Sequence, residues 1–133
     1  MSLVEVAGLS VHFGERSAVA DVSFRLDRGE TLALVGESGS GKSLTALSLL
    51  GLLPPGAQAE GRVVLDGVEV NTAGPAALQA LRGTAAGMVF QEPMNSLNPL
   101  TRIGRQVSEA ITLHHPLPRA ALRKRVVSLL RQC

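Results

Sequence analysis

The sequence has 133 residues, is 45% apolar and 18% charged, and carries a net charge of +2. That is enough for one domain with a buried core, and it excludes wholesale disorder. No apolar run approaches the ~20 residues of a membrane-spanning helix, and Met1 to Val11 lacks the basic start and apolar stretch of a targeting signal.

The only cysteine is Cys133, so no internal disulfide can form, which suits a reducing cytoplasm. Aromatic residues are limited to three Phe, so the core must be built from Leu, Val and Ala. Charge is uneven. Residues 1–67 hold eight acids and five bases; residues 68–133 hold three acids and eight bases. The basic half is open to nucleic acid or an anionic membrane surface as a partner, but the better reading is a solvated helix face carrying Arg119, Arg123, Lys124, Arg125 and Arg131. Single-strand nucleic-acid binders set aromatic platforms among their cations, and none is present here.

In chain order, Leu3–Ala7, Ser10–Phe13 and Ala18–Leu26 read as short strands rich in Val, Leu and Phe, punctuated by turns at Gly8 and at 14–16. Such short connections suit antiparallel hairpins. After a turn at 27–30, Thr31–Val35 is nearly all apolar, the pattern of a strand buried on both faces. A glycine-rich loop follows. Lys42–Gly51 then reads as a helix, ended by Gly51 and Pro54-Pro55. Glu60–Leu65 is a further strand closing at Asp66-Gly67, and Pro75 opens a short helix to Arg82. Ala86–Phe90 reads as another buried strand, leading into a loop from Gln91 to Pro99. Two amphipathic helices close the chain. One has Ile103, Val107, Ala110 and Ile111 on a face, and the other has Leu122, Val126, Leu129 and Leu130. The second runs on with no cap or stop signal, which suggests a chain cut short.

The loop Gly36-Glu37-Ser38-Gly39-Ser40-Gly41-Lys42-Ser43 fits G-x-x-x-x-G-K-[ST]. Its glycines let backbone N–H groups converge on phosphate oxygens. The following helix directs its positive end at the same anion. Lys42 brings a cation to the β- and γ-phosphates, and Ser43 a hydroxyl to Mg²⁺. The expectation is a site for a nucleoside triphosphate with magnesium. Val63–Gly67 has the form of an apolar strand ending in a metal-holding Asp, but Asp66-Gly67 is also an ordinary hairpin-turn pair, and the turn is the better reading. His12, His114 and His115 have no metal-ligand spacing.

Three stretches resemble the ATP-binding subunits of ABC transporters, most closely the dipeptide/oligopeptide importer branch. Gly29–Ser43 is similar to the Walker A region. Met88-Val89-Phe90-Gln91-Glu92-Pro93-Met94-Asn95-Ser96-Leu97-Asn98-Pro99 is similar to that branch's Q-loop. Leu9–Phe13 ahead of Ala20–Phe24 is similar to its N-terminal strands.

The resemblance implies an α/β fold: a P-loop NTPase (RecA-like) core with N-terminal antiparallel β hairpins and the start of a helical subdomain, incomplete, with an open-edged parallel sheet. Residues 1–99 would form the core part and 100–133 the start of the helical subdomain. It implies ATP and Mg²⁺ as ligands. Gln91 would reach the metal and the attacking water. Phe13, 23 residues ahead of Gly36, would stack on adenine, with core filling as the alternative. Leu44 stands where the family often has a Thr that helps bind phosphate, so its backbone N–H alone would serve.

The signature similar to Leu-Ser-Gly-Gly-Gln, the Walker B Asp with its catalytic Glu, and the switch His are not among the 133 residues. The parent protein is therefore expected to be a transport ATPase, and this chain alone a weak binder that does not turn over. Expected partners are transmembrane permease subunits, a second ATP-binding subunit or domain and, indirectly, a solute-binding protein, with no nucleic acid. The expected location is peripheral, on the cytoplasmic side of the plasma membrane. A short non-enzymatic nucleotide-binding module, or a non-transport ABC ATPase, is the rival reading. The cargo is left open.

Overall fold

The structure, a computed structural model, describes residues 2–133. The chain divides into two compact units, one reaching Ala86 and one from Gly87 to Cys133.

The first unit is built on a four-stranded sheet of order β2-β1-β3-β4. Its strands are β1 (Ser2–Phe13), β2 (Arg16–Asp27), β3 (Ala57–Leu65) and β4 (Val68–Glu69), and every pairing between them is antiparallel. Two helices accompany the sheet, α1 (Lys42–Ser48) and α2 (Pro75–Leu81). β1 is the central strand, and alternation along it buries Val4, Val6, Leu9 and Val11. Val19 of β2, Val63 and Leu65 of β3, and Val70, Leu50 and Leu81 are buried as well, so the apolar core of the unit is Val and Leu throughout. Burial of that apolar surface is the main favourable term for the unit. On the solvent side, Arg25 donates to Glu5 at 2.8 Å and Arg62 lies 3.7 Å from the same carboxylate. The Arg25 hydrogen bond, then its charge, holds the Glu5 carboxyl below its ordinary range.

Gly8 does not end a strand, as its sequence context suggests. β1 runs through it with shifted register against both neighbours, a bulge in place of a turn. Gly8 adopts φ +60°, and its N–H is met by Ser23 Oγ at 2.8 Å. Opposite it, a Cβ on Gly61 would lie 2.3 Å from the Gly8 carbonyl oxygen, so the two glycines let the backbones close in and the strand bends without leaving the sheet. The Asp66-Gly67 turn is as the sequence indicates. Both residues have positive φ, the requirement of a two-residue type I′ hairpin, and Asp66 pairs with Arg28.

Two expected strands are not strands. Thr31–Val35 and Ala86–Phe90 make no ladder, apart from an isolated parallel bridge between Arg82 and Ala86. Leu32, Leu34 and Val35 are exposed by 45%, 43% and 91%, and Val89 by 98%. An apolar run reports a preference for burial, whereas a strand also needs a neighbour to satisfy its N–H and C=O groups. Among the described residues no strand offers that neighbour. The described sheet is the antiparallel one expected of the N-terminal hairpins, and the parallel sheet expected of these two segments is not formed among the described residues.

The second unit begins with an extended loop containing one 3₁₀ turn, Pro93–Asn95, and continues into α3 (Ile103–Thr112) and α4 (Arg119–Gln132). The two helices are in contact. Val126 is buried, and Val107, Ile111, Leu122 and Leu129 are half-buried.

Candidate functional site

The glycine-rich loop links the exposed segment 31–35 to α1. Its conformation follows from its glycines. Gly39 and Gly41 adopt φ +80° and +91°, a region closed to most side chains. At Gly41 there is a second constraint. A Cβ there would stand 2.7 Å from the Ala18 carbonyl oxygen and 2.8 Å from Val19 Cγ2, so the loop is seated against β2. A Cβ on Gly36 would meet Ser40 Oγ at 2.6 Å, so the two ends of the loop also approach closely. The Ser40 N–H donates to the Glu37 carbonyl at 3.2 Å and closes the turn between them.

Lys42 is the first residue of α1, and its side chain folds back over the loop. Its Nζ donates to the carbonyls of Gly36 and Glu37, both at 2.6 Å, and to Ser40 Oγ at 3.2 Å. The ammonium is thus held where the loop's backbone converges, beside the N-terminal end of the helix. Glu37, Ser38 and Ser43 are exposed, and Leu44 is half-buried. Thr45, next along, is buried, and its hydroxyl donates to the Gly41 carbonyl at 2.9 Å, where it reinforces the first helical turn. It therefore does not replace the hydroxyl that Leu44 lacks. Ala18, Val19, Val22, Leu34, Gly41 and Thr45 help line a cavity of about 280 Å³ beneath the loop.

At its other end α1 closes with a Schellman turn. Leu52 N–H donates to the Leu47 carbonyl at 2.9 Å and Gly51 N–H to Ser48 at 3.2 Å, with Gly51 at φ +61°. Arg82, at the end of α2, completes this cap. Its Nε donates to Leu50 O at 2.9 Å and an Nη to Gly51 O at 2.8 Å. The guanidinium thus satisfies carbonyls that a helix end leaves unpaired and places positive charge at its negative end. Sequence reasoning does not find Arg82, because its partners are backbone atoms about thirty positions away and leave no motif.

Phe13 ends β1, half-buried, paired in register with Arg16 and Ala57. It belongs to the same unit as the loop. Gln91 belongs to the second unit, as an exposed bend residue after the unpaired run 87–90. The segment after it is organised by Gln106 of α3, which sequence reasoning also passes over. Gln106 Oε1 accepts from the Asn98 N–H at 2.9 Å, and its Nε2 donates to Asn98 O at 2.9 Å and Thr101 O at 2.7 Å. Among the described residues, no group of three or more His, Cys, Asp or Glu is placed to hold a metal. A cation at the loop would rest on the Ser43 hydroxyl and on oxygens brought by the ligand, the usual manner of Mg²⁺ with phosphates.

The family model described as ABC transporter matches residues 19–132. The chain is 42% identical to the oligopeptide transport ATP-binding protein OppD of Bacillus subtilis (strain 168), covering 96% of this chain and 37% of that protein. It is 45% identical to OppD of Mycobacterium tuberculosis, covering 96% and 22%, and 48% identical to the peptidoglycan transport ATP-binding protein YejF of Agrobacterium fabrum, covering 98% and 25%. It thus spans between 22% and 37% of the length of these relatives. Among solved structures, it superposes with TM-score 0.78 on an ATP-binding cassette in a dimeric post-hydrolysis state bound to ADP and Pi, at 25% identity over 96% of this chain and 56% of that one. It also superposes, with TM-score 0.72, on an ATP-binding subunit of an ABC transporter, at 28% identity over 97% and 49%. The chain belongs to the ABC transporter family.

Proposed function

We propose that this chain is the phosphate-cradling part of an ATPase subunit that couples ATP binding and hydrolysis to uptake of peptides or related solutes. The observation that carries the proposal is the seating of Gly36–Ser43 against β2 with the Lys42 ammonium held at the loop's centre. A polyanion at this point would meet a helix N-terminus and one cation, in a glycine-rich loop of the kind that turns its backbone N–H groups to phosphate. Within it, Gly36, Glu37, Ser38, Gly39, Ser40 and Gly41 supply backbone, and Lys42 neutralises charge. Ser43 ligates magnesium, and Leu44 contributes only its N–H. Bound Mg²⁺ would further neutralise the phosphates. Phe13 is proposed as the adenine-side contact. Gln91 is proposed to orient the metal and a water.

Residues 1–99 are proposed as the core part and 100–133 as the start of a helical subdomain. The relatives' names, which cover oligopeptide and peptidoglycan transport and, in a Brucella melitensis protein, putative peptide import, support solute uptake and leave the cargo open. Transmembrane permease subunits, a second ATP-binding subunit or domain and, at one remove, a solute-binding protein are the proposed partners. Peripheral attachment at the cytoplasmic face of the membrane follows from that assembly. No helix among the described residues is long and apolar enough to cross a membrane.

Phosphoryl transfer needs an oriented water and a base as well as a cradle. Of these the chain offers the cradle and Gln91, so it is proposed to bind without turning over. The test is titration with a fluorescent ATP analogue, with and without Mg²⁺. Binding strengthened by Mg²⁺ in the parent and insensitive to Mg²⁺ in Ser43→Ala supports the proposal. Equal binding with and without the metal in the parent chain contradicts it.

A further inference from the structure

The basic face of α4 has no role in the nucleotide site. The helix spans Arg119–Gln132 and carries Arg119, Arg123, Lys124, Arg125 and Arg131, with no Asp or Glu. None of these five cations makes an ion pair among the described residues. They also account for the charge asymmetry of the chain. Residues 87–133 hold seven bases and two acids, a net +5, whereas residues 1–86 hold six bases and nine acids, a net −3.

The inward side of α4 is set by Val126, which is buried, and by Leu122 and Leu129, which are half-buried. At 3.6 residues per turn these three leave the opposite face to Ala120, Arg123, Lys124, Val127 and Arg131. All five are exposed, and Val127 and Ala120 lie in a shallow groove lined by the neighbouring Arg and Lys side chains. Long cationic side chains over a small apolar strip can lay their stems on acyl or glycerol carbons while their heads reach phosphate. The guanidinium groups of Arg123 and Arg131 suit phosphate oxygens in particular.

We propose that this face of α4 docks on the anionic phospholipid headgroups of a bilayer surface. Charge complementarity supplies most of the attraction, and the apolar strip is too small for deep insertion. The absence of any aromatic residue in α4 argues against a nucleic-acid strand as the occupant. The contact lies within the second unit and is independent of the nucleotide reading. Lys42→Ala is expected to leave it unchanged, and loss of the α4 cations is expected to leave nucleotide affinity unchanged.

The test is co-sedimentation of the full chain with vesicles of phosphatidylcholine alone and of phosphatidylcholine mixed with phosphatidylglycerol. The chain should bind the mixed vesicles and not the neutral ones, and should dissociate as salt screens the surface. Each cation near an anionic surface contributes about fivefold, so Arg123→Ala/Lys124→Ala/Arg131→Ala should weaken binding about a hundredfold. Alanine favours the helix, and far-UV circular dichroism checks that it persists. Arg123→Lys/Arg131→Lys keeps the charge and should retain binding. If the alanine variant does not fold, the lysine pair and the salt titration of the parent chain still decide. The proposal is overturned by equal binding to neutral vesicles, by salt-independent binding, or by a folded alanine variant that binds like the parent. It is also overturned if a homopolymeric RNA binds more tightly than the mixed vesicles, which would reassign the face to nucleic acid.

Discussion

Substituting alanine at two glycines of the loop separates conformational strain from contact with β2. Gly39 and Gly41 both have positive φ, +80° and +91°. An L-residue pays about 1–2 kcal/mol for that conformation. They differ in surroundings. Nothing lies within 4 Å of a Cβ on Gly39, whereas a Cβ on Gly41 would sit 2.7 Å from the Ala18 carbonyl oxygen. That oxygen is backbone in a strand paired to the centre of the sheet, so it cannot swing away as a flexible side chain would. Forcing extra volume into such a contact costs about 1–3 kcal/mol. Gly39→Ala should therefore destabilise the chain by about 1–2 kcal/mol, and Gly41→Ala by about 2–5 kcal/mol. Urea unfolding followed by far-UV circular dichroism measures both, and a shifted midpoint at constant slope identifies a change in stability. Equal destabilisation by the two substitutions would refute the seating of the loop on β2.

Two further predictions concern residues without a motif. Arg82→Met removes two charge-assisted hydrogen bonds from the end of α1, one of them to a largely exposed residue. It should cost about 2 kcal/mol, read as a lowered thermal midpoint, with partial recovery in Arg82→Lys, which can reach one carbonyl. Gln106→Leu strips the Asn98 N–H and the Asn98 and Thr101 carbonyls of their partner. Amide exchange at Asn98 should accelerate about tenfold while the α4 amides are unaffected.

The parts of the fold legible in the sequence are those where local chemistry settles the outcome. Gly36–Ser43 constrains its own backbone through glycine, Asp66-Gly67 imposes a type I′ turn, and Gly51 ends a helix. Each declares itself within a few residues. Thr31–Val35 and Ala86–Phe90 are different. Their apolar pattern is real, but a strand exists only in relation to a neighbour, and the described residues pair β1 with β2 and β3 instead. Gly8 misleads for the same reason: alone it signals a turn, and only the approach of Gly61 makes it a bulge. Arg82 and Gln106 act on backbone carbonyls brought near by folding, so no spacing announces them. Gln91 stands out through its flanks and not through any local geometry.

The central claim is that Gly36–Ser43 cradles the phosphates of a nucleoside triphosphate around Lys42. Calorimetric titration of the parent chain and of Lys42→Ala with a non-hydrolysable ATP analogue and Mg²⁺ tests it most directly. The account predicts saturable binding by the parent chain and a loss of at least about tenfold in the variant, the effect of removing one charge-assisted contact to phosphate. Equal affinity in the two proteins, or saturable binding in neither, would contradict it.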